Sequence, residues 1–130
     1  MATSSATEKE KTLYARLGGY DAIAALVDEF LGTLSLDPQM GRFSAGMNLE
    51  RRERNRQLTL DYISAAAGGP TLYLGQDMKT AHAGLGISAN DWKLAIDHIH
   101  RALAKFKVPE QEGKELVALI ASLADQIVER

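Results

Sequence analysis

The sequence predicts an all-α domain, and three observations carry that expectation. Apolar residues recur at three- and four-residue intervals in four stretches. Glycine pairs and prolines cut those stretches apart, and no segment alternates polar with apolar residues as a half-buried strand would. With 130 residues the chain has length for one domain and a single sizeable core.

Met1–Lys11 is small and polar, lacks the apolar centre of a signal peptide, and reads as a flexible tail ahead of a domain spanning 12–130. A short helix fits Thr12–Leu17, where Leu13 and Leu17 lie one turn apart, and Gly18-Gly19 ends it. From Tyr20 to Leu36, Ile23, Leu26, Val27, Phe30, Leu31 and Leu34 share one face, which makes an amphipathic helix. Pro38 stops that helix because proline disfavours helical backbone in the residue before it. Gln39–Asn48, with Phe43, reads as a connection.

Glu50–Ala67 begins heavily charged and ends in alanine, with an expected inward face of Asn55, Leu58, Thr59, Tyr62, Ala65 and Ala66. Three polar side chains on that face need partners, and neighbouring groups or a bound ligand could supply them. Gly68-Gly69-Pro70 ends this helix. The segment 73–87 then has room for little more than two turns before Gly84 and Gly86. Ser88 and Asp91 form a capping box for a helix bearing Trp92, Ala95, Ile96, Ile99, Leu103 and Phe106. Pro109 suits the start of a last helix, striped by Leu116, Leu119, Ile120, Leu123 and Ile127.

Composition narrows the function classes. Fifteen Lys and Arg stand against 17 Asp and Glu, a formal charge of −2, so no global basic field draws nucleic acid. No cysteine is present, which excludes disulfides, thiolate metal sites and cysteine nucleophiles. No run approaches the ~18 apolar residues of a membrane span, and the expected location is the cytoplasm. No phosphate loop, nucleophile elbow or paired-carboxylate motif occurs.

His82 stands out because its surroundings, Met78, Ala81, Leu85 and Ile87, are apolar. An imidazole on such a wall is either a core residue whose nitrogens find partners or an iron ligand beneath a flat apolar cofactor. His98 and His100 lie two apart on the Trp92–Phe106 helix, off its apolar stripe, and read as surface or rim residues. The run from Glu50 to Arg56 reads as a solvated face of ion pairs, or as a rim from which an arginine reaches a cofactor's carboxylate.

Leu13-Tyr14-Ala15-Arg16-Leu17-Gly18-Gly19, Ala22-Ile23, Asp37-Pro38-Gln39, Gly68-Gly69-Pro70, Tyr73-Leu74-Gly75, Met78-Lys79-Thr80-Ala81-His82 and Leu85-Gly86-Ile87 occur in that order. Together they resemble the group I truncated haemoglobins over Thr12 to Val128, nearly the whole chain. The resemblance implies a two-over-two helical sandwich holding haem b, with His82 as the iron ligand. It implies Tyr73, Met78, Leu85, Ile87, Trp92 and Ile96 around the proximal side and Phe43 against the ring. Phe30, Leu31, Asn55, Leu58, Thr59 and Tyr62 would line the distal side.

The chain departs from the family at three places. Leu31 stands where a tyrosine commonly follows Phe30, Ser44 follows Phe43 in place of a second aromatic, and the charged start of the Glu50–Ala67 helix holds extra residues. Losing the tyrosine hydroxyl removes a hydrogen bond to bound dioxygen worth about 1.5–3 kcal/mol. Unless Asn55, Gln57, Thr59 or Tyr62 substitutes, dioxygen leaves faster and the iron oxidises more easily. The function expected is reversible binding of dioxygen, nitric oxide or carbon monoxide, with a reductase as partner. The competing expectations are a nitric oxide dioxygenase on the same fold, which Leu31 disfavours, and a cofactor-free helical interaction domain.

Overall fold

The computed structural model describes residues 11–130, so the expected tail lies, except for Lys11, outside the described residues. Seven helices run through them: α1 Leu13–Leu17, α2 Tyr20–Leu36, α3 Leu49–Ala66, α4 Met78–His82, α5 Ala89–Lys105, α6 Glu110–Ala121 and α7 Ala124–Ile127. A 3₁₀ turn, Met40–Phe43, joins α2 to α3, and no strand occurs among the described residues.

The long helices form two pairs, α2 on α3 and α5 on α6, and α2 crosses onto α5 to join them. This is the two-over-two sandwich. Its core has two parts. Leu13, Leu26, Ala67, Ile99, Ala102, Leu103 and Leu116 knit α1, α2, α5 and α6, while Ile23, Val27 and Leu60 seal α2 to α3. Burying each large aliphatic side chain there contributes about 1.5–3 kcal/mol before entropy is counted.

The helix ends follow local chemistry. Thr12 Oγ1 caps α1, Asn48 caps α3, and Ser88 with Asp91 forms the full capping box that starts α5. The turn after α3 packs against α1: Tyr14 N–H donates to Ala67 O at 2.9 Å, and a Cβ on Gly69 would run into the Tyr14 ring.

Three expectations need correcting. The protein-packed face of α3 is Leu60 and Ser64, continued by Ala67, with Ala66 exposed. The apolar periodicity of this helix mixes two faces, one on the core and one on a cavity described below. The last helix is interrupted at Ser122-Leu123, where α6 closes and the short α7 starts. His98 is not at the surface: it is 4% exposed. Its Nε2 donates to Asp37 Oδ2 at 2.8 Å and its Nδ1 lies 3.0 Å from Thr33 Oγ1. The end of α2 covers that side of α5 and supplies a partner for each ring nitrogen, which makes burial tolerable. His100 is exposed, as expected.

Candidate functional site

Between the helix pairs lies a cavity of about 670 Å³. That volume falls in the range of small-molecule and cofactor sites, roughly 300–1,000 Å³. All the long helices, the 3₁₀ turn, α4 and α7 contribute to its wall.

Its placement follows from the helix faces. Phe30 and Leu31 reach it from α2, Phe43 from the 3₁₀ turn, and Asn55, Leu58, Thr59 and Tyr62 from α3. Tyr73, Met78, His82, Leu85 and Ile87 come from the segment around α4, and Trp92 from the first turn of α5. Tyr62 and Tyr73 meet edge to face, with ring centroids 5.1 Å apart, and so join α3 to the loop before α4.

Ile96 is the exception among the site residues expected from sequence. It packs against the larger core cluster, and Ala95 and Ile99 face the cavity in its place. The wall also includes residues that sequence reasoning assigned only to helix stripes, above all Leu116, Ile120, Leu123 and Ile127 of α6 and its continuation. Their signal was present, since one stripe serves both core and cavity, but periodicity alone cannot divide it.

His82 closes the cavity from α4. Its Nδ1–H donates to Met78 O at 2.9 Å, one turn back in the same helix. That bond fixes the ring's rotation and tautomer, leaving Nε2 as the nitrogen with a free lone pair. Asp77 starts α4 by accepting from Thr80 N–H at 3.2 Å.

On α3, the polar groups of the wall are partly accounted for. Thr59 Oγ1 donates to Asn55 O at 2.8 Å, so its hydroxyl serves the helix. The Gln57 side chain bonds Tyr20 and Asp61 and takes no part in the wall. The Asn55 amide and the Tyr62 hydroxyl remain as polar ends placed to meet a small ligand, whereas Leu31 offers none.

At the mouth, the arginine run divides by role. Arg56 pairs with Asp28, and Arg52 bonds the carbonyls of Met47 and Ser44, bracing the connection. Arg51 lines the cavity and is exposed, which suits it to meet a carboxylate at the rim.

A second group of charges holds the Phe43 side. The Arg42 guanidinium lies 4.2 Å from the centroid of the Phe43 ring and pairs with Asp91 at 2.7 Å. Asp91, 1% exposed, also accepts from Gln39 at 2.6 Å and from Ser88 N–H at 3.0 Å. These donors, Arg42 foremost, hold its carboxyl far below the usual range. Asp37 is lowered to about 2, chiefly by its bond from His98 and then by the backbone N–H groups of Met40 and Gln39. No cluster of three or more His, Cys, Asp or Glu able to hold a metal occurs among the described residues. No helix among them is long and apolar enough to cross a membrane.

The family model for bacterial-like globins matches residues 12–129. Among curated relatives, the group 1 truncated haemoglobin GlbN of Mycolicibacterium paratuberculosis is 33% identical over 116 residues, covering 89% of this chain and 83% of the relative. That of Synechocystis is 28% identical over 117 residues, covering 87% and 89%. Among solved structures, the Fe(III) form of truncated haemoglobin from Tetrahymena pyriformis superposes with a TM-score of 0.84 at 22% identity, covering 92% of this chain and all of that one. A haemoglobin from Chloroflexus aurantiacus gives 0.81 at 22% identity, covering 93% of this chain and 100% of the other.

Proposed function

The chain belongs to the bacterial-like globin family, and from that premise we propose that it holds haem b through His82 and binds a diatomic gas in the same cavity. The observation that carries this reading is the cavity wall itself: one histidine, its Nδ1 tied to Met78 O at 2.9 Å, in a lining that is mostly apolar. A flat apolar group with charged carboxylates at one edge fits that donor set. Nε2 of His82 would supply the single nitrogen ligand, Phe43 and Trp92 would pack against the group, and Arg51 would meet a carboxylate at the mouth. When bound, the haem iron supplies the open coordination position at which dioxygen, nitric oxide or carbon monoxide is taken up.

The chain's own residues set how tightly that gas is kept. Met78 O holds the His82 ring and makes it a stronger donor. Leu31 excludes water from its side of the cavity but offers no hydrogen bond, and Thr59 spends its hydroxyl on Asn55 O. Retention of dioxygen then falls to Asn55 and Tyr62, and rapid release is the expected behaviour.

Absorption spectra of the purified protein test this: as isolated, reduced, and reduced under carbon monoxide. A Soret band that shifts with carbon monoxide and is lost in His82→Ala is the expected result. A protein that stays without a Soret band after haemin is added would overturn the reading.

A further inference from the structure

The helix carrying His82 is a short one that lies at the surface. α4 has five residues, none of them buried. Helices shorter than ~12 residues do not persist by themselves in water, so neighbours must hold this one in place. Asp77 does so at its start. Beyond its end the chain runs through Ala83, Gly84, Leu85 and Gly86 to Ile87, and here the support comes from far along the chain, at Glu129 and Arg130.

The Glu129 carboxylate accepts two backbone N–H groups, Gly84 at 3.0 Å through Oε2 and Gly86 at 2.8 Å through Oε1. Both glycines have left-handed backbone, φ of 83° and 68°, which turns the two N–H groups towards the same side. A residue with a Cβ would be strained at either place. The Glu129 N–H donates in turn to Ile87 O at 2.8 Å, and Ala89 N–H donates to Arg130 O at 3.0 Å. Four hydrogen bonds therefore clip residues 84–89, the link between α4 and α5, to the strand of chain that follows α7. That anchor is itself fixed, since Ile127 is 5% exposed and forms part of the cavity wall.

We propose that Glu129 is a positioning residue for His82: its carboxylate clasps the Gly84–Gly86 turn and so sets the height and tilt of α4 against the cavity. This rests on the reading of His82 as the haem ligand. Short charge-assisted bonds of this kind are stronger than neutral ones and have a defined geometry, as positioning demands. Those same two N–H donors keep the Glu129 carboxyl below its ordinary range. Because the clip lies at the surface, its loss is expected to loosen α4 against α7 without opening either part of the core.

The test uses the haem-loaded protein and the variants Glu129→Gln and Glu129→Ala. A glutamine keeps the shape but can accept only one of the two N–H groups, setting its own NH₂ against the other. The expected result is a displaced or broadened iron–histidine stretching band in the resonance Raman spectrum of the reduced protein. Haemin transfer to apomyoglobin is expected to accelerate about tenfold, the scale of outer-shell losses at metal sites. Glu115→Gln, which removes a partner of Arg16 at the far end of the bundle, should leave both unchanged. An unchanged band and transfer rate in both Glu129 variants would overturn the proposal. Absence of the band in the unaltered protein would instead remove the haem-ligand reading on which it rests.

Discussion

On the α5 side of the cavity, Asp91 is 1% exposed and has three donors, and His98, two turns further along the helix, is 4% exposed with both nitrogens paired. On the α4 side, His82 rides on a helix with no buried residue, secured by Asp77 and Glu129 at the surface. The first side is fixed by core packing and hydrogen bonds to buried side chains, the second by clips to backbone N–H groups. The difference teaches that stability and site geometry are separately encoded here. Removing atoms from the first side should cost folding free energy, and from the second should change the position of His82 with little loss of fold.

The largest effect is expected at Leu60, which is 1% exposed and packs with Ile23 and Val27. Leu60→Ala leaves a cavity at the α2–α3 seam and should destabilise the protein by about 2–5 kcal/mol. Denaturant unfolding measures it, and the carbon monoxide spectrum of the folded protein should not move. If that spectrum shifted as much as stability fell, the separation of the two sides would be broken.

Leu31 sharpens the comparison, since it touches both. It packs against the Ile23–Val27–Leu60 cluster and lines the cavity. Leu31→Tyr places a hydroxyl at the cavity wall, and a bond from it to a partly charged dioxygen, on the proposed reading, is worth about 1.5–3 kcal/mol. Stopped-flow displacement should show dioxygen leaving roughly 10–100-fold more slowly. An unchanged rate would mean that Asn55 or Tyr62 already saturates the ligand.

How much of this was legible in the sequence follows the same division. The bounds of α2 and the Ser88–Asp91 capping box could be read directly, because helix periodicity and caps are local. Of the expected site residues, all but Ile96 line the cavity, for the resemblance carried their order and the helix faces agreed. His98 could not be placed, since its partners Thr33 and Asp37 are 65 and 61 residues away and nothing local announces them. Ser122-Leu123 carries no glycine or proline, so the break between α6 and α7 left no local signal. The Glu129 clasp was equally hidden, because it joins a side chain to backbone groups 43 and 45 residues earlier.

The smallest effect concerns acid. Asp37 holds His98 and the backbone N–H groups of Gln39 and Met40, and its carboxyl falls from an ordinary 3.8 to about 2 on folding. A carboxyl depressed by folding releases its proton more readily in the native state, so the unfolded chain binds more protons between the two values. Stability therefore rises with pH through that window. Its contribution is complete above about pH 4 and is lost as the pH falls towards 2. Asp37→Asn removes this titration, and thermal unfolding followed by far-ultraviolet circular dichroism should show a shallower fall in midpoint between pH 4 and pH 2 than in the unaltered protein. The substitution also separates the two sides once more, because Asp37 holds the α2–α5 contact and lies off the cavity wall. An acid limb of unchanged steepness would mean that Asp91 and Glu115, each likewise held low by an arginine, dominate the window. The His98 pairing would then act through its geometry and burial and not through the charge of its partner.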